Sequence, residues 1–377
     1  MDFTFSDDQN AVRDLARGIL DKEVTVERLK RLEHEGEWHD RALWATLAEA
    51  GLLGLVVPAA HGGMGLGLLE ACVFLQELGR VVAPGPFLPT LLAALAIADG
   101  GNEAQQRDWL APLATGDATL ALALLDAHSS DPLRPGTRAE RNGRGWVLDG
   151  EKRWVSAADS AGRILLPACA GNETRVFLLD PAAPGVTRSR QRLSTGEPVF
   201  TLTLAGVHLD ESDVLGGGTH GADSVLRRLY ESTLVAHCAV QLGVSERTLE
   251  MTARYVRDRL QFGVPIGSFQ AVQHRAADCY IDVEAMRWTT WRAIEQVAHG
   301  SPSSRECAVA KFWAADGGAR IAAACQHLHG GIGVDLDYPI HRYFLRSKAL
   351  ELALGGATPH LVRLGRDLAE SGPAELT

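Results

Sequence analysis

The apolar residues of this chain change period twice, from helical to alternating and back, and that order constrains the fold more than any other feature. Gln9 to Asp21 carries Val12, Leu15, Ala16, Ile19 and Leu20 on one stripe behind a Ser6-Asp-Asp cap, and Arg41 to Ala50 repeats the pattern up to Gly51. A glycine-rich loop, Pro58 to Gly67, feeds a helix over Leu68 to Gly79. Pro84, Pro86 and Pro89 then break the chain before a short buried helix over Leu91 to Gly100. From Ala118 the pattern alternates. Thr119 to Leu125 reads as a strand, and Gly145 to Val155 reads as two strands about an Asp149-Gly150 turn. Arg163 to Ala168, Arg175 to Leu179 and Val199 to Leu209 are further strands. After Gly216 to Gly221 the helical spacing returns over Ala222 to Arg257, Phe269 to His299, Ser303 to Leu328 and Tyr343 to Leu354.

This order predicts an α+β chain of three domains: an N-terminal α-helical domain over 1–115, a middle antiparallel β domain over 116–213, and a C-terminal four-helix bundle over 214–377. No internal repeat is present, and no GxGxxG sits between a strand and a helix, so a nucleotide would need a site other than a Rossmann crevice.

Composition narrows the function classes. Lys and Arg number 37 against 47 Asp and Glu, a net charge of −10, which leaves no basic footprint for nucleic acid. No Lys/Arg cluster flanks an amphipathic segment, which argues against a membrane surface. The longest apolar run, Leu91 to Ala98, falls well short of the ~18 residues that span a bilayer. The opening residues are acidic and lack the pattern of a signal peptide. Cys72, Cys169, Cys238, Cys279, Cys307 and Cys325 show no ligand spacing and read as core residues in a reducing compartment. His128, His220, His237 and His360 share no metal spacing with carboxylates or cysteines, so no metal is assigned. A cytoplasmic protein is expected.

The most informative segment is Arg259-Leu-Gln-Phe-Gly-Val-Pro-Ile-Gly267, followed by Ser-Phe-Gln-Ala-Val-Gln-His274. It ends one long helix, turns on Gly and Pro, and opens the next. Such a corner aims a guanidinium, backbone N–H groups and a helix start at one spot, which suits a pyrophosphate. Phe262 offers an aromatic face, and Gln270 and Gln273 carry amides that suit an adenine. The other reading is a helix corner whose arginine caps carbonyls.

These residues resemble the acyl-CoA dehydrogenases. The match runs through Arg259-x-x-Phe-Gly-x-Pro-Ile-x-x-x-Gln270-x-x-Gln273, His327-Leu-His-Gly-Gly-Ile-Gly333 with Tyr338-Pro, Gly150-Glu-Lys-Arg-Trp-Val-Ser156, and Pro58-x-x-His-Gly-Gly-Met-Gly-Leu. The four segments lie in family order over nearly the whole chain. The resemblance implies an FAD enzyme that desaturates the Cα–Cβ bond of an acyl-CoA, with a glutamate taking the α-proton. It also implies an electron-transfer flavoprotein as the acceptor and a cofactor shared between subunits.

By that resemblance Arg259, Gln261 and Phe262 contact the pyrophosphate region of a neighbour's flavin, with Gln270 and Gln273 nearby. His327, Gly330 and Gly331 form a second ADP-contacting loop, His327 standing where the family usually has glutamine. Trp154 and Ser156 stand at the aromatic and hydroxyl positions beside the flavin ring. Asp337, Tyr338, Arg342 and Arg346 fall in a region that packs subunits and steadies the flavin, and a structural role is expected of them.

The sequence departs from the family in two places. The usual Thr-Glu-Pro-x-Ala-Gly-Ser-Asp segment is Leu125-Asp-Ala-His-Ser-Ser-Asp131, keeping only the final Ser-Asp. The catalytic glutamate's position, counted from Gly330-Gly331, falls on Leu354, and the alternative position on the preceding long helix falls on Thr233. Glu351 lies three residues before Leu354, and Glu231 two before Thr233.

Features donated to a neighbour's flavin are therefore kept, while those of a subunit's own chemistry are lost. That distribution fits the subunit of an α2β2 acyl-CoA dehydrogenase that has no catalytic residue and completes the FAD site of a catalytic acyl-CoA dehydrogenase partner. The Leu-Gly-Gly-Ala-Thr ending resembles such chains in steroid side-chain catabolism. The alternatives are a self-sufficient homomeric dehydrogenase with Glu351 as displaced base, a flavin oxidase or monooxygenase on the same fold, and a structural subunit without flavin contact.

Overall fold

The computed structural model describes residues 4–129, 131–143, 145–215 and 222–371. Ser130 and the Gly216 to Gly221 stretch with His220 lie outside the described residues. Helix α1 (Asp7–Glu23) starts on a closed capping box: Ser6 Oγ accepts from the Gln9 N–H at 3.2 Å, and the Gln9 side chain accepts from the Ser6 N–H at 3.0 Å. Then come α2 (Val26–Glu35), α3 (Arg41–Glu49), α4 (Leu68–Arg80), α5 (Phe87–Gly100) and α6 (Glu103–Ala114). Helix α5 begins four residues ahead of the sequence expectation. Pro89 sits in its first turn, where a missing N–H leaves no helical bond unmade.

The middle of the chain forms one sheet from β1 (Leu120–Leu122), β2 (Leu125–Asp126), β3 (Arg138–Asn142), β4 (Gly145–Ser156), β5 (Arg163–Ala170), β6 (Glu173–Leu179), β7 (Val186–Arg192), β8 (Pro198–Asp210) and β9 (Val214–Leu215). The order is β7-β8-β4-β3-β5-β6-β9, with β1 on β5 and β2 on β4. Pairing is antiparallel apart from β1–β5 and β3–β5. One expectation is corrected here. Asp149-Gly150 is not a hairpin turn but lies inside β4, opposite a bulge of β8, and Asp149 Oδ1 accepts the Gly206 N–H at 2.8 Å. The partner strand, not the local Asp-Gly pair, decides the backbone there.

Beyond the sheet come α7 (Ala222–Asp258), the ribbon β10 (Leu260–Gln261) with β11 (Val264–Pro265), α8 (Gln270–Ala298), α9 (Ser304–Phe312), α10 (Gly318–His329), α11 (Ile340–Leu352) and α12 (Ala357–Ser371). A π-helical turn over Trp313–Gly317 joins α9 to α10, so the single helix expected from Ser303 is two segments. The helix–sheet–helix order expected from the periods is the observed one.

Packing divides the chain into two compact units: Met1–Leu29, Cys72–Ala83 and Leu234–Thr377 in one, and Lys30–Ala71 and Pro84–Thr233 in the other. The second unit is built around the sheet, whose core holds Leu148, Val155, Ile164, Phe177 and Leu202. Helix α5 docks on β1, where Thr90 Oγ1 and the Leu120 backbone meet at 3.3 Å. In the first unit α4 crosses α7 closely, since a Cβ on Gly243 would fall 1.9 Å from the Gln76 carbonyl oxygen. Among the described residues no helix is long and apolar enough to cross a membrane.

Candidate functional site

Helix α7 ends at Asp258, and Arg259 leads into the β10–β11 ribbon, where Gln261 pairs with Val264. The two residues between them, Phe262 (φ 53°) and Gly263 (φ 80°), both have positive φ, which is the geometry of a type I′ hairpin. Such a turn favours Asn-Gly, and here its first position carries a phenylalanine that is 94% exposed. Arg259 is exposed and enters no ion pair among the described residues. Gln270 opens α8 and is exposed. The Gln273 amide donates to the Gly267 carbonyl at 3.0 Å, which fixes the corner itself.

The second loop lies beside this corner in the same unit. Arg275 Nη1 meets His327 Nδ1 at 2.6 Å. A guanidinium only donates, so Nδ1 is the acceptor of this bond. Tyr255, one turn before Arg259, stacks on His329 at 4.5 Å between centroids, and its hydroxyl donates to the His329 carbonyl at 3.3 Å. Tyr338 leans on both rings, a structural role for the stretch that follows. Burial lowers the His329 pKa, so the stack rests on a neutral imidazole.

Gly330 closes α10 at φ 60° and ψ −141°, a conformation that side chains do not tolerate. A Cβ on Gly330 or Gly331 would meet nothing of this chain within 4 Å. The open space in front of Gly331 is therefore not required by internal packing. By contrast, a Cβ on Gly333 would fall 2.8 Å from the Gln326 carbonyl oxygen.

Trp154 and Ser156 belong to the other unit. A bulge in β4 between Lys152 and Val155 throws Trp154 to φ 57°, leaving the residue 54% exposed. The Ser156 hydroxyl donates to Glu197 Oε1 at 2.6 Å. The departed segment is tied down on itself. Asp126 Oδ2 accepts from Lys152 Nζ at 3.0 Å, from Thr137 Oγ1 at 2.7 Å and from the Thr137 N–H at 2.8 Å. Ser129 and Asp131 bond each other, and Asp131 Oδ1 caps Leu133 at 3.1 Å.

At the two base positions the structure offers no carboxylate. Leu354 lies beyond the end of α11 at φ 56°, with its carbonyl accepting from His360 Nε2 at 3.0 Å. The helix that would carry Glu351 onto the same face as residue 354 stops at Leu352, and the Glu351 carboxylate is bound by Lys348. Thr233 is buried and donates its hydroxyl to the Leu229 carbonyl at 2.6 Å, while Glu231 faces Arg227 at 3.9 Å. The non-glycine residues at positive φ among the described ones are Val82, Trp154, Ala157, Phe262 and Leu354. Three of these five are positions the resemblance singled out, and strained backbone of this kind gathers at functional sites.

Sequence reasoning missed Arg275, Tyr255 and Glu197. Arg275 follows directly on the Gln270 to His274 motif and was within reach. The partners of Tyr255 and Glu197 lie far along the chain, where no spacing rule points.

Residues 6–117 match the N-terminal domain of acyl-CoA dehydrogenases, and residues 219–367 match the C-terminal domain. The chain belongs to the acyl-CoA dehydrogenase family. It is 39% identical to acyl-CoA dehydrogenase FadE27 of Mycobacterium tuberculosis, over 98% of this chain and 100% of that one. It is 28% identical to benzylmalonyl-CoA dehydrogenase of Aromatoleum aromaticum, over 97% and 98%. Among solved structures, the ChsE4–ChsE5 complex from Mycobacterium tuberculosis superimposes with a TM-score of 0.93 at 39% identity, covering 99% of this chain and 100% of that one. A variant of the Tcur3481–Tcur3483 steroid ACAD gives 0.90 at 42% identity, covering 97% and 99%.

The family consists of oxidoreductases whose cofactor is FAD. The corner and glycine loop fit its ADP half: an exposed guanidinium, an exposed ring and two glycines with nothing in front of them. On the Trp154 side the ring is exposed, but the Ser156 hydroxyl is already bound by Glu197 and the Leu125 to Asp131 segment is tied through Asp126 to Lys152, so the fit to the flavin ring is poorer there.

Proposed function

We propose that this chain is the subunit of a heteromeric acyl-CoA dehydrogenase that lacks a base and donates the ADP-binding half of an FAD site to a catalytic partner chain. The observation that carries the proposal is Leu354, a hydrocarbon side chain on a left-handed backbone where the family holds its proton-abstracting glutamate. A base contributes roughly 10²–10⁴-fold to such a reaction, and a leucine contributes none of it. Arg259, Gln261, Phe262, His327, Gly330 and Gly331 hold the pyrophosphate and adenine of the partner's FAD, with Gln270 and Gln273 shaping the corner. FAD, when bound, supplies the two-electron acceptor.

The likeness to the ChsE4–ChsE5 complex and to a steroid ACAD supports an α2β2 assembly acting on an acyl-CoA in steroid or related lipid side-chain β-oxidation. Electrons then pass to an electron-transfer flavoprotein, in the cytoplasm. The three-domain division at residues 115 and 213 is part of this reading.

The test is flavin absorbance and turnover, with the chain purified alone and with a co-expressed dehydrogenase. The expected result is a colourless, inactive chain alone and one FAD per pair of chains in the complex. A yellow homomer reduced by acyl-CoA overturns the proposal, and loss of that activity in Glu351→Gln would establish the displaced base instead.

A further inference from the structure

Helix α8 has a second organised face. Val283, Met286, Thr290 and Ile294 lie on the side buried within the chain. The opposite side carries a stripe from His274 to Glu295 whose residues recur at alternating steps of four and three, the spacing of a helix that packs along another helix. Its middle is apolar. Ile281 is 62% exposed and Trp288 48%, with Ala285 half-buried between them. Its ends are charged: His274 and Asp278 precede Ile281, and Arg292 and Glu295 follow Trp288. Within the chain, Arg292 comes no nearer to the Glu306 carboxylate than 3.9 Å.

The order of charges decides what fits this stripe. Read outward from Ala285, its two halves complement each other: Ile281 answers Trp288, Asp278 answers Arg292, and His274 answers Glu295. Two copies of α8 laid antiparallel about a two-fold axis at Ala285 set every residue opposite its counterpart, because such a contact pairs i with j and j with i. Laid parallel, they would set Asp278 against Asp278 and Arg292 against Arg292. Alanine is the smallest side chain of the stripe, and at the axis it lets the two helices approach closely.

We propose that the outer face of α8 is an interface between two copies of this chain, antiparallel and centred on Ala285. Apolar burial comes from Ile281 against Trp288, made twice by symmetry, and register comes from Asp278 against Arg292, also made twice. The stripe complements itself, which favours a second copy over a chain of different sequence. The proposal goes beyond the flavin reading and does not depend on it, since no residue of the stripe is assigned to the cofactor. In an α2β2 complex the same contact would join the two pairs of chains.

The experiment measures the mass of the full chain by analytical ultracentrifugation over a range of concentrations, with circular dichroism checking the fold of each variant. Wild type should sediment at twice its 40.5 kDa. Ile281→Asp should give monomer. Asp278→Arg and Arg292→Asp should each raise the dissociation constant at least about tenfold, because like charges then meet twice across the axis. Mixing these two variants should restore the dimer, since every contact between positions 278 and 292 is then between opposite charges. In Ala285→Cys a bismaleimide should link two copies through position 285, in the isolated chain and in a co-expressed complex alike. Wild type that is monomeric at every concentration overturns the proposal, and loss of the dehydrogenase complex in Ile281→Asp would then assign the face to that partner. A dimer indifferent to Ile281→Asp, or one whose charge variants do not weaken alone and recover together, overturns it as well. The measurement needs no FAD, so its failure leaves the flavin reading standing.

Discussion

The Ser156 hydroxyl donates to the Glu197 carboxylate at 2.6 Å, so the group that resemblance would point at a flavin ring is bound within its own chain. Glu197 is buried and lies just before β8, which pairs with β4 through Val199 opposite Ser156. The bond therefore belongs to the sheet's own register rather than to an open pocket. Together with Asp126, which binds Lys152 and Thr137, it would make the two halves of the proposed flavin site unequal. The residues that would face a neighbour are exposed, whereas on this chain's own side the Ser156 hydroxyl and the Asp126 carboxylate are bound internally and only the Trp154 ring stands open.

Removing that carboxylate tests the point. Glu197→Ala leaves a part-buried hydroxyl without its acceptor and should cost about 1–3 kcal/mol of stability. The count of FAD per pair of chains should stay at one, because Asp126 and its partners still close the adjoining segment. Urea denaturation and flavin absorbance read the two effects separately. A second FAD in the variant would mean that Glu197 alone had been excluding the ring.

Lys152 and Asp126 make the most buried ion pair of the sheet, with side chains 0% and 1% exposed. Burial pushes the Lys152 pKa down to about 8 against the pull of Asp126, so the amine remains charged at neutral pH. Breaking such a pair strands one charge in the core. Lys152→Met should lower stability by about 3–5 kcal/mol, and Lys152→Met with Asp126→Leu should recover much of that loss. Denaturation midpoints of the two variants decide it, and equal losses in both would refute the stranded-charge explanation.

His360 makes the loop around Leu354 sensitive to acid. Its Nε2–H donates to the Leu354 carbonyl, and burial, with Lys311 and Arg363 nearby, lowers its pKa to about 4. The unfolded chain takes up that proton near pH 6.5. Between these values the unfolded state binds more protons, so this contribution to stability is full above about pH 6.5 and is lost as pH falls toward 4. His360→Gln keeps a donor for Leu354 but does not titrate. The stability gap between wild type and variant should therefore shrink on acidification. A gap independent of pH would show that His360 titrates alike in both states.

How much of this was legible in the sequence depends on the range of the interaction. The switch of period near Ala118 and its return after Gly221 reflect which faces are buried, a local signal, and the order of elements followed from it. The corner from Arg259 to Gln273 was legible for the same reason, since its turn, ring and amides are contiguous. Asp149-Gly150 misled because the bulge of β8 at Gly206, which bonds Asp149 from 57 residues away in sequence, sets the backbone there. The Ser156–Glu197 and Arg275–His327 bonds join residues 41 and 52 apart, and no periodicity encodes them. Leu354 could be located by counting, but the end of α11 at Leu352, which separates it from Glu351, could not.

On the proposed function, Arg259 is the residue that should carry most of the affinity for the partner's flavin. Arg259→Ala removes a charge-assisted contact to phosphate, worth about 1.5–3 kcal/mol, so FAD should dissociate roughly ten- to a hundredfold more readily from the complex. His327→Ala should weaken binding less. Dilution followed by flavin fluorescence measures both. Full FAD occupancy in the arginine variant, with the complex still assembled, would rule out donation across the interface.

Phe262 separates function from stability within one residue. Its backbone is left-handed at φ 53°, a conformation that costs a non-glycine residue about 1–2 kcal/mol. Its ring returns little of this, being 94% exposed and meeting Phe269 edge-on at 6.3 Å between centroids. Asn-Gly is the pair that a type I′ turn favours, since asparagine accepts positive φ without glycine's entropy loss. Phe262→Asn should therefore raise the stability of the isolated chain by up to about 1 kcal/mol, seen as a higher denaturation midpoint. The same change should weaken FAD retention in the complex, because the aromatic face is gone while the hairpin remains. A substitution that strengthens the chain and weakens the cofactor site cannot be explained by misfolding. If Phe262→Asn instead destabilises the isolated chain, the ring is packing for this subunit's own sake and is not a group held out for a partner's flavin.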